Sequence, residues 1–125
     1  MSTLRSAAVL TGSSALFFLV GIVTASAHAQ LVRAEPAVGG NVGKAPSEVT
    51  LHFNERLEVA LSSVVVRDAA GKQVDKGNGF VDNKDRRIIR VSLPDLGPGV
   101  YKVEWRAVSA DTHRVNGDFT FKVGE

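Results

Sequence analysis

Apolar and polar side chains alternate with a period of two in several short stretches, the pattern of strands that bury one face. Val49-Thr50-Leu51-His52-Phe53 is the clearest, and residues 63–67, 88–93, 100–106 and 118–123 follow the same rule. In 100–106, Tyr101, Val103 and Trp105 face one way while Lys102, Glu104 and Arg106 face the other. Turn-forming residues separate the runs at Pro36 to Gly40, Lys44-Ala45-Pro46, Ala69-Ala70-Gly71, Gly77-Asn78-Gly79, Gly97-Pro98-Gly99 and Asn116-Gly117. No window after the first 27 residues carries a sustained helical stripe. The pattern predicts an all-β domain, an antiparallel β-sandwich or small barrel of roughly seven strands.

Residues 1–27 read differently. Met1 to Arg5 is short and basic, Ala15 to Val23 is mostly apolar, and Ala25-Ser26-Ala27 offers small residues for cleavage. These are the parts of a secretory signal peptide, removed on export. The competing reading is an uncleaved anchor, because Ala7 to Thr24 is almost long enough for a hydrocarbon core of about 30 Å. Thr11, Gly12, Ser13 and Ser14 interrupt that stretch and favour the signal. Cleavage leaves residues 28–125, enough for one small domain with a single core and too few for two.

Of the 15 Lys and Arg residues only Arg5 lies in the leader, and none of the 13 Asp and Glu does, so the remaining domain is close to neutral. That balance gives no reason to expect nucleic acid as a partner. Arg86, Arg87 and Arg90 form the one basic cluster, near Asp82 and Asp85, and read as a solvated hairpin. The chain has no cysteine and its single methionine is Met1. The mature domain therefore lacks the soft sulfur ligands that Cu(I) prefers, and any metal it holds must accept nitrogen and oxygen.

Three histidines occur, His28, His52 and His113. Cleavage after Ala27 would make His28 the first residue, whose free α-amine and imidazole Nδ1 can close a chelate ring on one ion. His52 sits on the polar side of its strand and reads as a partly exposed strand residue. His113 ends Ser109-Ala110-Asp111-Thr112-His113. If that stretch is extended, Asp111 and His113 project to one side and offer an oxygen and a nitrogen together. In the other reading it is a loop, with Asp111 in a turn hydrogen bond and the histidine solvated. His28, Asp111 and His113 together supply three nitrogens and one oxygen, a set that suits Cu(II) above Ni(II) and Zn(II), although tetrahedral Zn(II) remains chemically open. Glu55, just past the clearest strand, reads equally as a weak ligand or outer-shell acceptor and as a solvated charge.

Joining residues 28 and 113 at one ion costs loop-closure entropy in the unfolded chain, a cost already met in the fold. Metal would then stabilise the native state, by about 4 kcal/mol at 1,000 times the dissociation constant. Binding would weaken in acid, where protons compete for imidazole and amine, with ordinary pKa values of about 6.5 and 8.

His28-Ala29-Gln30-Leu31-Val32, Glu35-Pro36-Ala37, Leu51-His52-Phe53-Asn54-Glu55, the run from Tyr101 to His113, and Gly117-Asp118-Phe119-Thr120-Phe121 together resemble the CopC family of periplasmic copper-resistance proteins over nearly the whole mature length. The resemblance implies a Greek-key, immunoglobulin-like β-barrel or sandwich. It also implies a Cu(II) site made by the amine and imidazole of His28 with Asp111 and His113, and Glu55 as the nearby carboxylate. Some members carry a methionine-rich loop for Cu(I), whereas residues 64–90 contain no methionine here. The chain looks like the Cu(II)-only type: a non-catalytic periplasmic carrier or buffer for copper, with an inner-membrane copper transporter of the CopD type as the implied recipient. Two other functions fit parts of the sequence. A histidine-brace oxidase, such as a lytic polysaccharide monooxygenase, also begins with histidine, but needs an open copper position that Asp111 would help fill. A metal-free β-sandwich interaction module would leave His28 and His113 unrelated in space.

Overall fold

A computed structural model describes residues 28–124, together with the isolated positions Gly12 and Ala15. The expected signal segment, 1–27, lies outside the described residues but for those two points. Eight strands follow in order: β1 Leu31–Glu35, β2 Asn41–Val42, β3 Glu48–Phe53, β4 Ser63–Arg67, β5 Phe80–Val81, β6 Ile88–Ser92, β7 Gly99–Val108 and β8 Arg114–Val123. They form two four-stranded sheets, ordered β1-β3-β6-β5 and β2-β8-β7-β4. The architecture is the β-sandwich expected from the alternation. The count exceeds seven through β2 and β5, which have two residues each and are too short to leave a periodic signal. Every pairing is antiparallel except β2 with β8, which runs parallel.

The inward faces are the ones the period marks. Val49, Leu51 and Phe53 of β3 and Ile89 and Val91 of β6 are buried, and across from them lie Val64 and Val66 of β4, Tyr101 and Val103 of β7, and Phe119, Phe121 and Val123 of β8. At about 25 cal/mol per Å² of apolar surface removed from water, these strand faces supply the main driving force in a domain without disulfides. On the outer face of the first sheet Arg90 joins Asp82 at 3.0 Å and Glu48 at 2.9 Å. Arg86 and Arg87 stay exposed, as a solvated hairpin requires.

One expected turn is absent. Asn116-Gly117 lies inside β8, where Gly117 pairs with Trp105. The indole, half-buried and packed edge-on against Phe53 with ring centroids 5.1 Å apart, lies over Gly117. A Cβ there would meet the ring at 2.2 Å, so the glycine marks a close approach within a strand rather than a reversal. The chain reverses earlier, between Val108 and Arg114.

Candidate metal centre

The loop after β7 is held from below before it turns. Glu58 donates its N–H to the carbonyl of Val108 at 2.7 Å, and Val108 donates its own to the hydroxyl of Ser62 at 3.1 Å. Leu57 forms an isolated antiparallel bridge with Ser109. The segment between β3 and β4 thus belongs to the first sheet at one end, to the second at the other, and braces the end of β7 between them. Beyond the brace, Thr112 donates to the Ser109 carbonyl at 2.8 Å and Ser109 to the His113 carbonyl at 3.1 Å. Thr112 takes a left-handed conformation, φ 71°.

The Asp-Thr-His stretch is therefore a tight turn, the second of the two readings its spacing left open, and the extended one does not occur. Its two functional side chains meet by another route. The turn folds Asp111 back on its own loop, where Oδ1 accepts from the Ser109 hydroxyl and, at 3.4 Å, from the His113 N–H. Oδ2 lies 3.0 Å from His113 Nδ1. The turn hydrogen bond belonged to the reading in which the histidine stood apart in solvent; the structure combines that bond with a carboxylate–imidazole pair.

His28 arrives from the other sheet. Ala29, 0% exposed, is a small apolar plug that enters the core just before β1. Gln30 and Asn54 clasp each other on either side of the β1–β3 ladder: the Gln30 N–H donates to Asn54 Oδ1 at 2.7 Å and the Asn54 N–H to the Gln30 carbonyl at 3.1 Å. Plug and clasp fix where residue 28 emerges, and its ring stands edge-on to that of His113 with centroids 4.6 Å apart.

The expected set is gathered as pairs. His28 meets His113 and His113 meets Asp111, but no group of three or more His, Cys, Asp or Glu arranged to hold a metal occurs among the described residues. With Ala27 attached the nitrogen of His28 is a peptide amide, so the fourth donor of the expected set, the α-amine, would exist only in a chain cut after Ala27. Glu55 is half-buried, two residues before the Leu57–Ser109 bridge, on the side where antiparallel register runs toward Asp111. Among the described residues it makes no hydrogen bond or ion pair with His28, Asp111 or His113. His52 faces outward on β3, where its Nε2 lies 3.1 Å from an Arg33 guanidinium nitrogen, away from the centre.

The Ser109 hydroxyl, then the side chain of His113, hold the Asp111 carboxyl down at about 2 against a weak opposing effect of burial. It is an anion throughout the neutral range, and the side chain is 38% exposed, with that of His113 at 54%. Anionic oxygen beside accessible imidazoles is a donor set for a divalent ion of borderline softness. Ala29, Asn54, Ser62 and Ser109 escaped the sequence reading because none carries chemistry itself. Asn54 alone left a signal, an amide directly after the clearest strand.

The family described as the CopC domain matches residues 31–124. The chain is 41% identical over 109 residues to a copper resistance protein C of Pseudomonas syringae pv. tomato, covering 79% of this chain and 82% of that protein. It is 35% identical over 112 residues to the copper transport protein CutJ of Bacillus subtilis, covering 88% of this chain but only 21% of CutJ. Among solved structures, CopC from Methylosinus trichosporium OB3b superposes with a TM-score of 0.69 at 34% identity, covering 78% of this chain and 94% of that one.

Proposed function

The chain belongs to the CopC family, and from that premise we propose that it is a periplasmic Cu(II)-binding protein that sequesters or carries copper and catalyses no reaction. The observation that carries the proposal is the meeting of His28 and His113, far apart in sequence and on loops of different sheets, with Asp111 beside the second ring. Removal of residues 1–27 would free the amine of His28, giving three nitrogens and one oxygen for a tetragonal Cu(II) site. Copper binding would then depend on export. Glu55 would serve as an outer carboxylate for this site. With Met1 the only methionine, the domain would have no soft Cu(I) site, and copper would enter and leave as Cu(II). Its recipient would be an inner-membrane copper transporter of the CopD type. The match to one fifth of CutJ, whose name is that of a transport protein, supports a link between this module and a larger transport apparatus.

The test is a Cu(II) titration of mass-verified protein beginning at His28, beside a form with one extra N-terminal residue, read by electron paramagnetic resonance. The native terminus alone should bind one equivalent tightly with nitrogen-rich tetragonal parameters. Equal binding by both forms would remove the N-terminal chelate from the site, and no binding by either would end the copper assignment.

A further inference from the structure

A sheet edge is a row of unpaired N–H and C=O groups, and two sheets have four of them. Three are blunted. On β4 the Val66 N–H donates to Asp75 Oδ2 at 2.8 Å, and the Val66 carbonyl accepts from Val74 at 2.8 Å. β1 breaks its register between Leu31 and Arg33, and β5 has only two residues. At the fourth edge β2 is too short to cover β8, pairing only with Lys122 and Val123. Just before that pairing, the Thr120 carbonyl accepts from Gly39 at 2.8 Å and the Lys122 N–H donates to Gly40 at 2.9 Å. β8 pairs with β7 in unbroken register, so the two-residue period aims the backbone groups of Arg114, Asn116 and Asp118 to the same side as those of Thr120 and Lys122. No strand meets them there among the described residues, and all three side chains are exposed. The open window runs from the metal turn to the strand position that Gly39 closes, with Asn116 at its centre.

We propose that this window of β8 pairs antiparallel with the same window of a second copy of the chain, about a two-fold axis at Asn116, and joins the two second sheets into one. The residues of the window name the occupant, because a two-fold contact must be complementary to itself. With Asn116 opposite Asn116, Arg114 of each copy stands opposite Asp118 of the other, and opposite charges directly across a ladder attract where like charges repel. Within one copy Asp118 faces Glu104 across the β7–β8 ladder, a like-charge neighbour that an arginine from the second copy offsets. On the inward side Val115 of one copy comes level with Gly117 of the other, beside the Trp105 ring that lies over that glycine. A slip by two residues breaks both charge pairs, and Gly39 bars the slip toward Thr120. His113 of one copy comes level with Phe119 of the other, so the two metal turns stand about 20 Å apart. The pairing thus needs no copper.

The first measurement is sedimentation of metal-free protein beginning at His28, which holds every strand of the sandwich. It should show a monomer–dimer equilibrium with a dissociation constant between about 1 µM and 1 mM, as for other small, transient interfaces. Asp118→Arg and Arg114→Asp should each weaken the dimer about 10-fold or more, since each sets like charges opposite, and the double variant should restore it. An equimolar mixture of the two single variants should form heterodimers, because every charge then meets its opposite; a variant that had merely failed to fold would not recover on mixing. The chain has no cysteine, so Asn116→Cys reports the register. The Cα atoms of such a pair lie about 5.5 Å apart, within reach of a disulfide, and mild oxidation should cross-link this variant but not Thr120→Cys. A parent chain that stays monomeric to about 1 mM overturns the proposal. So does a dimer indifferent to both charge reversals, or one that cross-links at Thr120→Cys in preference to Asn116→Cys.

Discussion

His52 and His113 are the same side chain placed against neighbours of opposite sign. On the outer face of the first sheet the His52 Nε2 receives a guanidinium hydrogen from Arg33, itself paired with Glu35 at 3.5 Å. That nitrogen lone pair is occupied, and a fixed positive charge stands where a cation would approach. In the β7–β8 turn, His113 faces an anion, Asp111, and a second imidazole, His28. Its surroundings attract a cation and leave one ring nitrogen free to receive it. Residue type alone does not make a ligand; the sign and hydrogen-bonding capacity of the nearest neighbour decide.

Substituting each histidine should break the comparison most visibly. His113→Ala is expected to weaken Cu(II) binding by about 100-fold or more, at the upper end of what even outer-shell losses produce, whereas His52→Ala should stay within about twofold; chelator competition on both proteins decides. Equal losses would mean that the outer face of the first sheet takes part in binding.

The hairpin beneath His113 depends on Gly117 beneath the Trp105 ring. Gly117→Ala should cost about 2 kcal/mol through displacement of the indole, seen as a lower denaturant midpoint at unchanged slope. Copper affinity should fall with it if the ring sets the register of the turn. No such glycine underlies His52, so an alanine at the neighbouring surface position Glu35 should leave the midpoint nearly unmoved.

A smaller effect follows from Asp111. Its folded pKa of about 2 lies below the ordinary carboxylate value of 3.8. The native state therefore binds fewer protons than the unfolded chain between those limits, and the contribution of the carboxylate is fully present above the unfolded value. It is lost as pH falls through the folded one. Metal-free Asp111→Asn should be less stable than the parent at pH 7, and the two unfolding curves should converge in acid. A gap that widens in acid would show that the carboxylate is not stabilised in the fold. Least of all, Arg33→Ala should free the His52 lone pair without changing the stoichiometry of tight copper binding, since His52 belongs to no group of three or more His, Cys, Asp or Glu arranged to hold a metal among the described residues.

Much of the fold is written locally. In the segments from Val49 to Phe53 and from Tyr101 to Trp105 a residue's face follows from its place in a two-residue period, and burial of one face is the dominant energetic term. Candidate donors could be named because the chain has three histidines and no cysteine, but nothing local says which of them meet. The local rules failed where a distant residue intervened. Gly117 looks like a turn until the Trp105 ring is laid across it; the Asp111–His113 spacing, by contrast, left an extended and a looped reading open, and its own neighbours Ser109 and Thr112 decide for the loop.

The sequence by itself determined the all-β class and the inward faces of the strands, since each depends on neighbours along the chain; the residues proposed to hold a metal it could only nominate. Only the tertiary structure decided that His28 meets His113 while His52 does not. That meeting depends on Ala29 entering the core, on Asn54 clasping Gln30, and on Leu57 bridging to Ser109 so that the ends of two sheets come together. These contacts join residues remote in sequence, and their closure is fixed by the packing of the whole sandwich rather than by any local pattern.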